Sequence, residues 1–557
     1  IYKMNSNFLT YALCGVAAFM LAACSAEPHG ASTKHPIGSE GPDRPSFSEN
    51  DDVTSPKPNF PLNSQKVTVN TSTVYQEMEG FAASDCWLPN QIGQYWTDNR
   101  NEIAQLLFSQ NISSDGQPQG IGLSMWRVNL GAGTEEQGDD SNMALNNRAQ
   151  SYLYTGSYNW NSCAGQRYFM EQAKNMGCEK FVLFSNSPLV QYTLNGMGYS
   201  DNGAHGNLKE EGYAQYAAYM AEVAKHFTEA GYNVSHISPV NEPQFDWGVS
   251  ENGMANQEGS GWQNTEIAKL VKELDKALTD RDLDTYIMIA EAASWNDVTG
   301  GGNERSNTIN AFYNPSSNAY VGDIKRLDNI ICGHSYWTEG TWNGMRQVRQ
   351  QVANAAKARN LKVYQTEWSM LGDAPAELDG NYENATEFDI AQYMSRVIHN
   401  DITVAGCASW SYWTAMSVER YGQKNRFELI KTTPKGGEYS DNFKEGGSVA
   451  ANPNLWVLGN YSLFVRPGFK RVGLSLNESK DFFGSAYTST DGSQLVIVLT
   501  NYDKTNGVTV DMPRPDGTKA VFTYTTTADK NLKQSRFNLN DKVFIDPASV
   551  TTIVYYF

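Results

Sequence analysis

Eight short apolar runs, separated by long intervals, constrain the fold of this chain more than any other feature. The runs are Met78 to Ser84, Ile121 to Leu130, Lys180 to Ser187, Ile237 to Val240, Tyr286 to Ala290, Ile330 to Tyr336, Lys362 to Trp368 and Ala405 to Trp413. Several intervals carry apolar residues at helical spacing, as between Tyr213 and Phe227 and between Ile267 and Leu278. Strands and helices therefore alternate, and each interval is long enough for a right-handed crossover. Eight such units predict an α/β fold of the (β/α)8 barrel type.

An open dinucleotide-binding sheet is the main alternative for alternating strands and helices. It requires a glycine-rich turn after an early strand. The nearest candidate is Gly131-Ala132-Gly133, which lacks the third glycine at the required offset. The barrel therefore remains the better prediction.

The pattern changes near Leu474 to short alternating strands, which turn signals such as Asp491-Gly492 separate. This tail predicts a β-sandwich, and the alternating segment from Lys66 to Thr73 could add a strand to it. The expected domains are a barrel over residues 77–455 and a sandwich over residues 456–557, with residues 66–76 joining the sandwich.

The chain begins with a segment that is typical of a secretion signal. Lys3 precedes an apolar run from Phe8 to Ala23, which is too short for a spanning helix. The run ends in Leu21-Ala22-Ala23-Cys24, which resembles a bacterial lipobox; an ordinary cleavage site is the alternative. The expectation is a signal peptide over residues 1–23, lipid on Cys24 and a polar tether over residues 24–65. The protein would then lie in the bacterial cell envelope, in the outer membrane and facing either the periplasm or the surface.

Composition excludes some classes of partner. The chain has 43 basic and 61 acidic residues and a net charge of −18, without a run rich in Lys and Arg. Nucleic acid is therefore not expected as a partner. Five of the seven cysteines lie after the signal segment and its Cys24: Cys86, Cys163, Cys178, Cys332 and Cys407. Their number is odd, so they cannot all form disulfides, and their spacing fits no metal site. A disulfide between Cys163 and Cys178 stays open.

Two apolar runs end in a glutamate. The fourth run is followed by Asn241-Glu242-Pro243, and the seventh ends in Glu367-Trp368. In a (β/α)8 barrel the active site lies at the carboxyl ends of the strands, which we expect to bring both glutamates to one point across the barrel. Cleavage of a glycosidic bond requires a carboxylic acid facing a carboxylate, and a separation of about 5 to 5.5 Å would imply retention through a covalent intermediate. An ionised Glu367 would also help Glu242 keep its proton.

The sequence contains no motif for a metal site or for a serine hydrolase. The seven histidines form no His-Glu-x-x-His pattern, no calcium loop is present, and no Gly-x-Ser-x-Gly elbow follows a run. We therefore expect no metal and no cofactor.

Several segments together resemble glycoside hydrolase family 30. They are Gly80-Phe81-Ala82-Ala83-Ser84-Asp85, Leu123-Ser124-Met125-Trp126-Arg127, Phe184-Ser185-Asn186-Ser187-Pro188, Ser238 to Pro243, Gln257-Glu258-Gly259 and Thr366-Glu367-Trp368. The resemblance runs from about Val67 to the end of the chain. It implies a barrel with a β-sandwich side domain, net retention, Glu242 as acid/base and Glu367 as nucleophile.

The resemblance and the strand ends suggest further site residues. Arg127 is expected to hold Glu367 through a two-bond fork, Asn241 to bind a sugar hydroxyl, and Tyr336 or His334 to position Glu367 or a sugar. At least one of Trp410 and Trp413 is expected to stack on a sugar ring. Glu291, at the end of the fifth run, is the rival carboxylate and is expected to support the pair. The remaining subsite candidates are Asp85, Trp87, Asn186 and Trp247.

Within the family, the segments around Phe184 and Gln257 look closest to the endo-β-1,6-galactanase branch. The expected function is endo-hydrolysis of plant-type β-1,6-galactan by a monomer that is anchored to a membrane. A xylanase of the same family, a surface glycan-binding lipoprotein without catalysis and a structural protein are the alternatives.

Overall fold

The eight apolar runs form the eight strands of a closed parallel barrel. The computed structural model describes residues 45–48, 51–372, 375, 378 and 382–557. The barrel strands are β1 (Gly80–Ser84), β2 (Met125–Asn129), β3 (Lys180–Phe184), β4 (Val234–Ser238), β5 (Tyr286–Ala292), β6 (Leu327–His334), β7 (Lys362–Glu367) and β8 (Cys407–Tyr412). Each strand pairs with the next, and β8 closes on β1 through the pair Ser409 and Gly80. The predicted (β/α)8 barrel is confirmed.

Helices connect the strands and cover the barrel. They are Leu88–Tyr95, Arg100–Phe108, Thr134–Gln137, Ala164–Asn175, Gly212–Glu229, Asn264–Asp280, Trp295–Thr299, Thr308–Tyr313, Trp342–Ala358, Glu387–Asn400 and Pro453–Ser462. Local chemistry fixes where several begin: Thr386 and Asp389 form a capping box, and the Thr341 hydroxyl accepts from the Gly344 amide. The apolar face predicted between Ile267 and Leu278 is buried against the barrel.

Side chains fill the inside of the barrel. They come from seven of the eight strands and are Ala82, Met125, Val182, Met288, Ile330, Cys332, Tyr364 and Ala408. Because this core blocks the barrel axis, a ligand can be bound only at an end. The polar residues that end the strands therefore form the floor of any site at the carboxyl face.

The second domain is a β-sandwich. One sheet has seven antiparallel strands in the order Thr68–Glu77, Lys470–Ser475, Phe482–Thr488, Gln494–Asn501, Ser549–Tyr556, Ala520–Thr526 and Lys533–Phe537. The other contains Leu62–Lys66, Gly507–Asp511 and Phe544–Ile545. An apolar layer that includes Val472, Ile497, Val508 and Ile545 fills the space between them. Smaller sheets join Met416–Ser417, Ile430–Pro434 and Gly447–Ala451, and Leu153–Tyr154 with Ser157–Tyr158.

The predicted tether over residues 24–65 is wrong for its described part. Leu62–Lys66 pairs in parallel with Gly507–Asp511, and Phe47 packs against Phe522 and Tyr556. Polarity alone suggested a free segment, but a polar strand can still form backbone hydrogen bonds along a sheet edge. The predicted signal peptide and Cys24 lie outside the described residues.

The predicted boundary between residues 455 and 456 is also wrong, because it falls inside the helix Pro453–Ser462. Tyr461 of this helix packs against Phe81 of β1, while the Asn460 amide donates to the carbonyl of Tyr524 in the sandwich. One helix thus belongs to the cores of both domains.

Two smaller points concern cysteines and membranes. The five cysteines from Cys86 to Cys407 are all free and buried, so no bridge joins Cys163 and Cys178. Among the described residues, every helix is too short or too polar to cross a bilayer.

The helix Pro453–Ser462, which belongs to the cores of both domains, leads to a prediction about stability. Asn460→Ala removes the amide that donates to Tyr524 and Thr552 and leaves buried acceptors unpaired. We expect the variant to lose about 1–3 kcal/mol of unfolding free energy in urea, with barrel and sandwich unfolding together. A variant as stable as the native protein would contradict the coupling of the two domains through this helix.

Candidate active site

Glu242 and Glu367 meet at the carboxyl end of the barrel. Glu367 is the last residue of β7, and Glu242 lies four residues beyond the end of β4. A carboxylate oxygen of each lies within 4.8 Å of the other and of a ring nitrogen of His334. Both side chains are almost buried. The spacing matches the short separation found in retaining glycosidases and is too short for a water molecule to enter between the two groups as in inverting enzymes.

β4 and β7, which carry the two glutamates, are not opposite each other in the barrel, although we expected them to be from the sequence. β5 and β6 lie between β4 and β7. Their ends therefore reach the space between the glutamates, where β5 contributes Glu291 and β6 contributes His334.

His334 links two carboxylates. Its Nδ1 lies 2.9 Å from Oε1 of Glu242 and its Nε2 lies 3.0 Å from Oε2 of Glu291. Burial alone would lower the pKa of the imidazole, but the charges of Glu367, Glu242 and Glu291 outweigh it and raise this pKa to about 9. Such a pKa favours the imidazolium at neutral pH, the form in which each ring nitrogen can donate a hydrogen bond to its carboxylate.

Arg127, from β2, is the second buried cation. Its Nη1 donates to Oε2 of Glu367 at 2.7 Å, while its Nη2 donates to Oδ1 of Asn241 at 3.0 Å and lies 3.4 Å from Oε2 of Glu291. Nη1 also donates to the Ser84 hydroxyl at 2.9 Å. The predicted two-bond fork to Glu367 is wrong, because the guanidinium divides its donors among four partners. The second oxygen of Glu367 accepts instead from the Tyr336 hydroxyl at 3.1 Å. Both oxygens of Glu367 are thus held by protein donors.

The environment of Glu242 favours its protonated form. Burial is the main cause that raises the pKa of this carboxyl, the His334 hydrogen bond and charge oppose it, and the charge of Glu367 raises it further. Only the last of these causes could be inferred from the sequence. The Glu242 backbone is in the left-handed region with φ of 42°, and its amide donates to the Glu291 carbonyl at 2.9 Å.

Glu291 supports the pair from below, as expected. Burial alone would raise its pKa, but Arg127, His334 and the Thr366 hydroxyl hold it at about 2. Its Oε2 is engaged by all three of these groups and the side chain is completely buried. A permanently ionised carboxylate at this depth balances one of the two cations.

The two tryptophans at the end of β8 lie in different environments. Trp410 is completely buried, and its indole donates to Oδ2 of Asp401 at 2.9 Å, so it belongs to the core. Trp413 is partly exposed and packs edge to face against Trp87, with ring centroids 5.3 Å apart. Trp413 and Trp87 are therefore the pair that can offer an aromatic face to a sugar.

Two predicted subsite residues are turned into the protein. Both oxygens of Asp85 accept from the Gln166 amide and one also accepts from the Asn129 backbone, and burial raises the pKa of Asp85 to about 7. Asn186 is buried and its amide donates to Oδ1 of Asn129 at 3.4 Å. Asp85 follows β1 and Asn186 follows β3, and both side chains are buried; the Asn186 Oδ1 is without a protein partner. Asn241 accepts from Arg127, which leaves its Nδ2 for a sugar hydroxyl.

Sequence reasoning missed a buried ionic network under β6. Asp401 accepts from Arg349 at 2.6 Å, from the Ser335 hydroxyl at 2.8 Å and from the indoles of Trp295 and Trp410. Because Ser335 stands between His334 and Tyr336, the network fixes the strand end that carries both. No spacing in the sequence indicated it, since its members come from four separate elements.

The cluster Glu242, His334 and Glu367 is the one group of acids and histidines in the described residues with spacing that could suit a cation. A metal ligand must offer a lone pair, and both ring nitrogens of His334 are occupied as donors to carboxylates. The donor set therefore fits an acid and base pair better than a metal ion.

Comparison with known proteins decides the family. The model of O-glycosyl hydrolase family 30 matches residues 64–426, which is more than half of the chain. The chain belongs to glycoside hydrolase family 30. It is therefore a retaining O-glycosyl hydrolase that acts on a polysaccharide, and the distance between its two glutamates agrees with that stereochemistry.

Individual relatives support this assignment. An endo-β-1,6-galactanase of Hypocrea rufa is 24% identical over 465 residues, which cover 80% of this chain and 83% of the relative. The crystal structure of a conserved exported protein from Bacteroides fragilis superimposes with a TM-score of 0.80 at 29% identity and covers 88% of this chain and 99% of that one. The catalytic domain of the family 30 xylanase C from Talaromyces cellulolyticus has the same fold, with a TM-score of 0.61, 19% identity and coverage of 88% and 100%.

The charge network makes a prediction about His334. With a pKa of about 9, its ring should stay doubly protonated from pH 6 to about pH 8.5, which ¹⁵N chemical shifts of labelled histidine can follow by NMR. Glu291→Gln removes one of the charges that raise this pKa and should move the titration to lower pH. A neutral imidazole at pH 7 in the native protein would contradict the description.

Proposed function

We propose that the protein is an endo-acting β-1,6-galactanase in which Glu367 is the nucleophile and Glu242 is the acid/base. The observation that carries the proposal is the meeting of two carboxyl groups within 4.8 Å at the carboxyl end of the barrel. Their environments differ in the way the two roles require. Arg127 and Tyr336 donate to Glu367 and stabilise its carboxylate, while burial raises the pKa of Glu242.

The first step breaks the glycosidic bond. Glu242 gives its proton to the leaving oxygen while an oxygen of Glu367 forms a bond to the anomeric carbon, which yields a glycosyl ester and a free sugar end. As Glu367 loses its charge, the pKa of Glu242 should fall. Glu242 can then act as a base in the second step, when it takes a proton from water that attacks the ester and releases the product.

His334 would hold Glu242 in place through both protonation states. Its Nδ1 proton is directed at Oε1 of Glu242, which leaves the second oxygen to carry the mobile proton. The other ring nitrogen is fixed by Glu291, so the imidazolium has one orientation. A positioned donor of this kind stabilises the carboxylate that Glu242 becomes after it has protonated the leaving group.

The relatives favour galactan over other substrates. The curated relative described above is an endo-β-1,6-galactanase and aligns over 80% of this chain. Solved structures with the same fold include xylanases and an endo-β-1,6-glucanase, at 19% identity or less. Since loops set specificity on a shared barrel, these more distant relatives carry less weight.

A direct assay separates the alternatives. The protein is incubated with arabinogalactan, xylan and β-1,6-glucan, and released oligosaccharides are separated by chromatography. We expect β-1,6-linked galacto-oligosaccharides of mixed length from the first substrate. Release only from xylan would identify a xylanase, and binding without products would identify a glycan-binding protein that has lost catalysis.

The two glutamates should respond differently to substitution. We expect Glu367→Gln to lower kcat at least about a thousandfold on every substrate, because no other group can form the glycosyl ester. Glu242→Gln should lose the polysaccharide activity but keep much of its activity on aryl glycosides, whose leaving group needs no proton. Glu229→Gln, an exposed residue at a helix end, is the matched control. Equal loss on both substrates in Glu242→Gln would contradict its role as acid.

We also propose that a lipid on Cys24 anchors the enzyme, as a monomer, to the cell envelope. The support is the Leu21-Ala22-Ala23-Cys24 string and the polar segment that follows it. In a bacterial host, labelled fatty acid should be incorporated into the full chain and the protein should fractionate with membranes. Cys24→Ser should abolish both. A labelled or membrane-bound Cys24→Ser protein would contradict the anchor.

A further inference from the structure

Exposed apolar side chains are concentrated on one face of the molecule. Of the thirteen large apolar side chains that are exposed in the described residues, ten lie in loops that follow barrel strands. Three of these belong to one loop, which follows β4 and contains Phe245, Val249 and Met254. The β4 loop also carries Glu242. The apolar part of the rim is therefore continuous with the acid side of the carboxyl pair.

Three aromatic residues on this rim form a continuous arc, made of Trp247, Phe245 and Trp337. The rings of Trp247 and Phe245 have centroids 5.5 Å apart, and those of Phe245 and Trp337 are 5.7 Å apart. Both contacts are edge to face, with interplanar angles of 73° and 71°. Trp337 is 50% exposed and Phe245 is 38% exposed. Trp337 follows Tyr336, the residue that donates to Glu367, so the arc reaches from the β4 loop to the end of β6.

The backbone holds the arc in conformations that bulky residues avoid. Trp247 has φ of 52° and Trp337 has φ of 58°, both in the left-handed region. For Trp337 the strain is not offset by deep burial, since half of its side chain remains exposed. Strain that is kept at an exposed position is a mark of function.

The string Gln257-Glu258-Gly259 holds Trp247 in place. A β-carbon on Gly259 would lie 2.4 Å from Cγ of Trp247, so only glycine lets the indole rest there. The adjacent Glu258 is buried and accepts from the Ala132 amide and the Thr134 hydroxyl, which ties this segment to the loop after β2. The Trp247 indole then donates to the Glu242 carbonyl at 3.0 Å. The arc and the acid are thus fixed as one unit.

The position of the arc identifies which sugar it would contact. Glu242 faces the oxygen that leaves, and the Phe245 amide also donates to the Glu242 carbonyl, so the arc lies on the leaving-group side. The other exposed aromatic pair, Trp87 and Trp413, follows β1 and β8, and β8 is the neighbour of β7, which carries Glu367. The two aromatic surfaces therefore flank the carboxyl pair on its two sides.

We infer that Phe245 and Trp337 form a two-ring platform for the sugar unit on the leaving-group side of the cleaved bond, in which one ring covers the face of the sugar and the other ring its edge. The inference rests on the proposed function. A pyranose presents a flat face of C–H groups, which an exposed aromatic ring covers well. In the second step, a sugar bound there can replace water. Its hydroxyl attacks the anomeric carbon of the ester, Glu242 takes the hydroxyl proton, and the bond to Glu367 breaks and restores the carboxylate.

The test measures the ratio at which the glycosyl ester reacts with an added sugar and with water. The enzyme is given 4-nitrophenyl β-D-galactoside as donor and β-1,6-galactobiose as acceptor, and transfer products are counted against hydrolysis. Phe245→Leu and Trp337→Leu keep an apolar side chain but remove the flat ring, whereas Phe245→Tyr keeps the ring. We expect the ratio of transfer to hydrolysis to fall about tenfold or more in the two leucine variants and to change less than about twofold in Phe245→Tyr.

The Michaelis constant for β-1,6-galactan is a second readout that needs no aryl donor, and it should rise about tenfold in the leucine variants. Tyr75→Leu is the matched control, because Tyr75 is 49% exposed but lies on a strand of the sandwich. Native transfer ratio and Michaelis constant in both leucine variants would overturn the platform. Absence of sugar release from β-1,6-galactan by the native enzyme would instead overturn the proposed function.

Discussion

The active site depends on a balance between three buried carboxyl groups and two buried cations. Glu291 and Glu367 face Arg127 and His334, and these four charges cancel when all are ionised. Glu242 then adds a fifth group, which leaves the cluster neutral only when it carries a proton. Because all five groups are buried, a net charge on the cluster is costly, so the balance itself favours the acid form of Glu242. The geometry of the barrel serves this balance by placing one member on each of β2, β5, β6 and β7 and one just after β4.

Much of this architecture could be predicted from the sequence because it follows from periodic patterns. Eight apolar runs at crossover spacing specify a closed parallel barrel, and the carboxyl ends of its strands are the place to look for chemistry. Glu242 and Glu367 can be found in this way, since each stands at the end of an apolar run. The order of the strands also follows from the sequence. Because β5 and β6 lie between β4 and β7, their ends place Glu291 and His334 beside the two glutamates.

The errors arise where tertiary contacts decide between equal local patterns. Trp410 and Trp413 are three residues apart in one segment, and only the packing against Asp401 shows that Trp410 belongs to the core. The polar segment before Lys66 has the composition of a linker, yet the edge of a small sheet gives its backbone a partner. Phe245 and Trp337 carried no sequence signal, because a single aromatic in a loop has no period and its partner is nearly a hundred residues away.

Substitutions in the rim and in the floor of the site should have different effects. Residues of the floor are fixed by charge and burial, so a change there should affect the chemical steps on any substrate. Side chains of the rim such as Phe245 and Trp337 are exposed, so changes there should affect which sugar chains are bound.

The central claim, that Glu367 attacks the anomeric carbon while Glu242 manages the proton, is tested most directly by trapping the ester. A 2-deoxy-2-fluoro-β-galactoside with a dinitrophenyl leaving group should form the ester faster than water removes it, and peptide mass spectrometry locates the added sugar. We predict one fluorosugar per chain, attached to the peptide that contains Glu367. A sugar attached to Glu291 or Glu242, or turnover that inverts the anomeric configuration without any labelled peptide, would contradict the account.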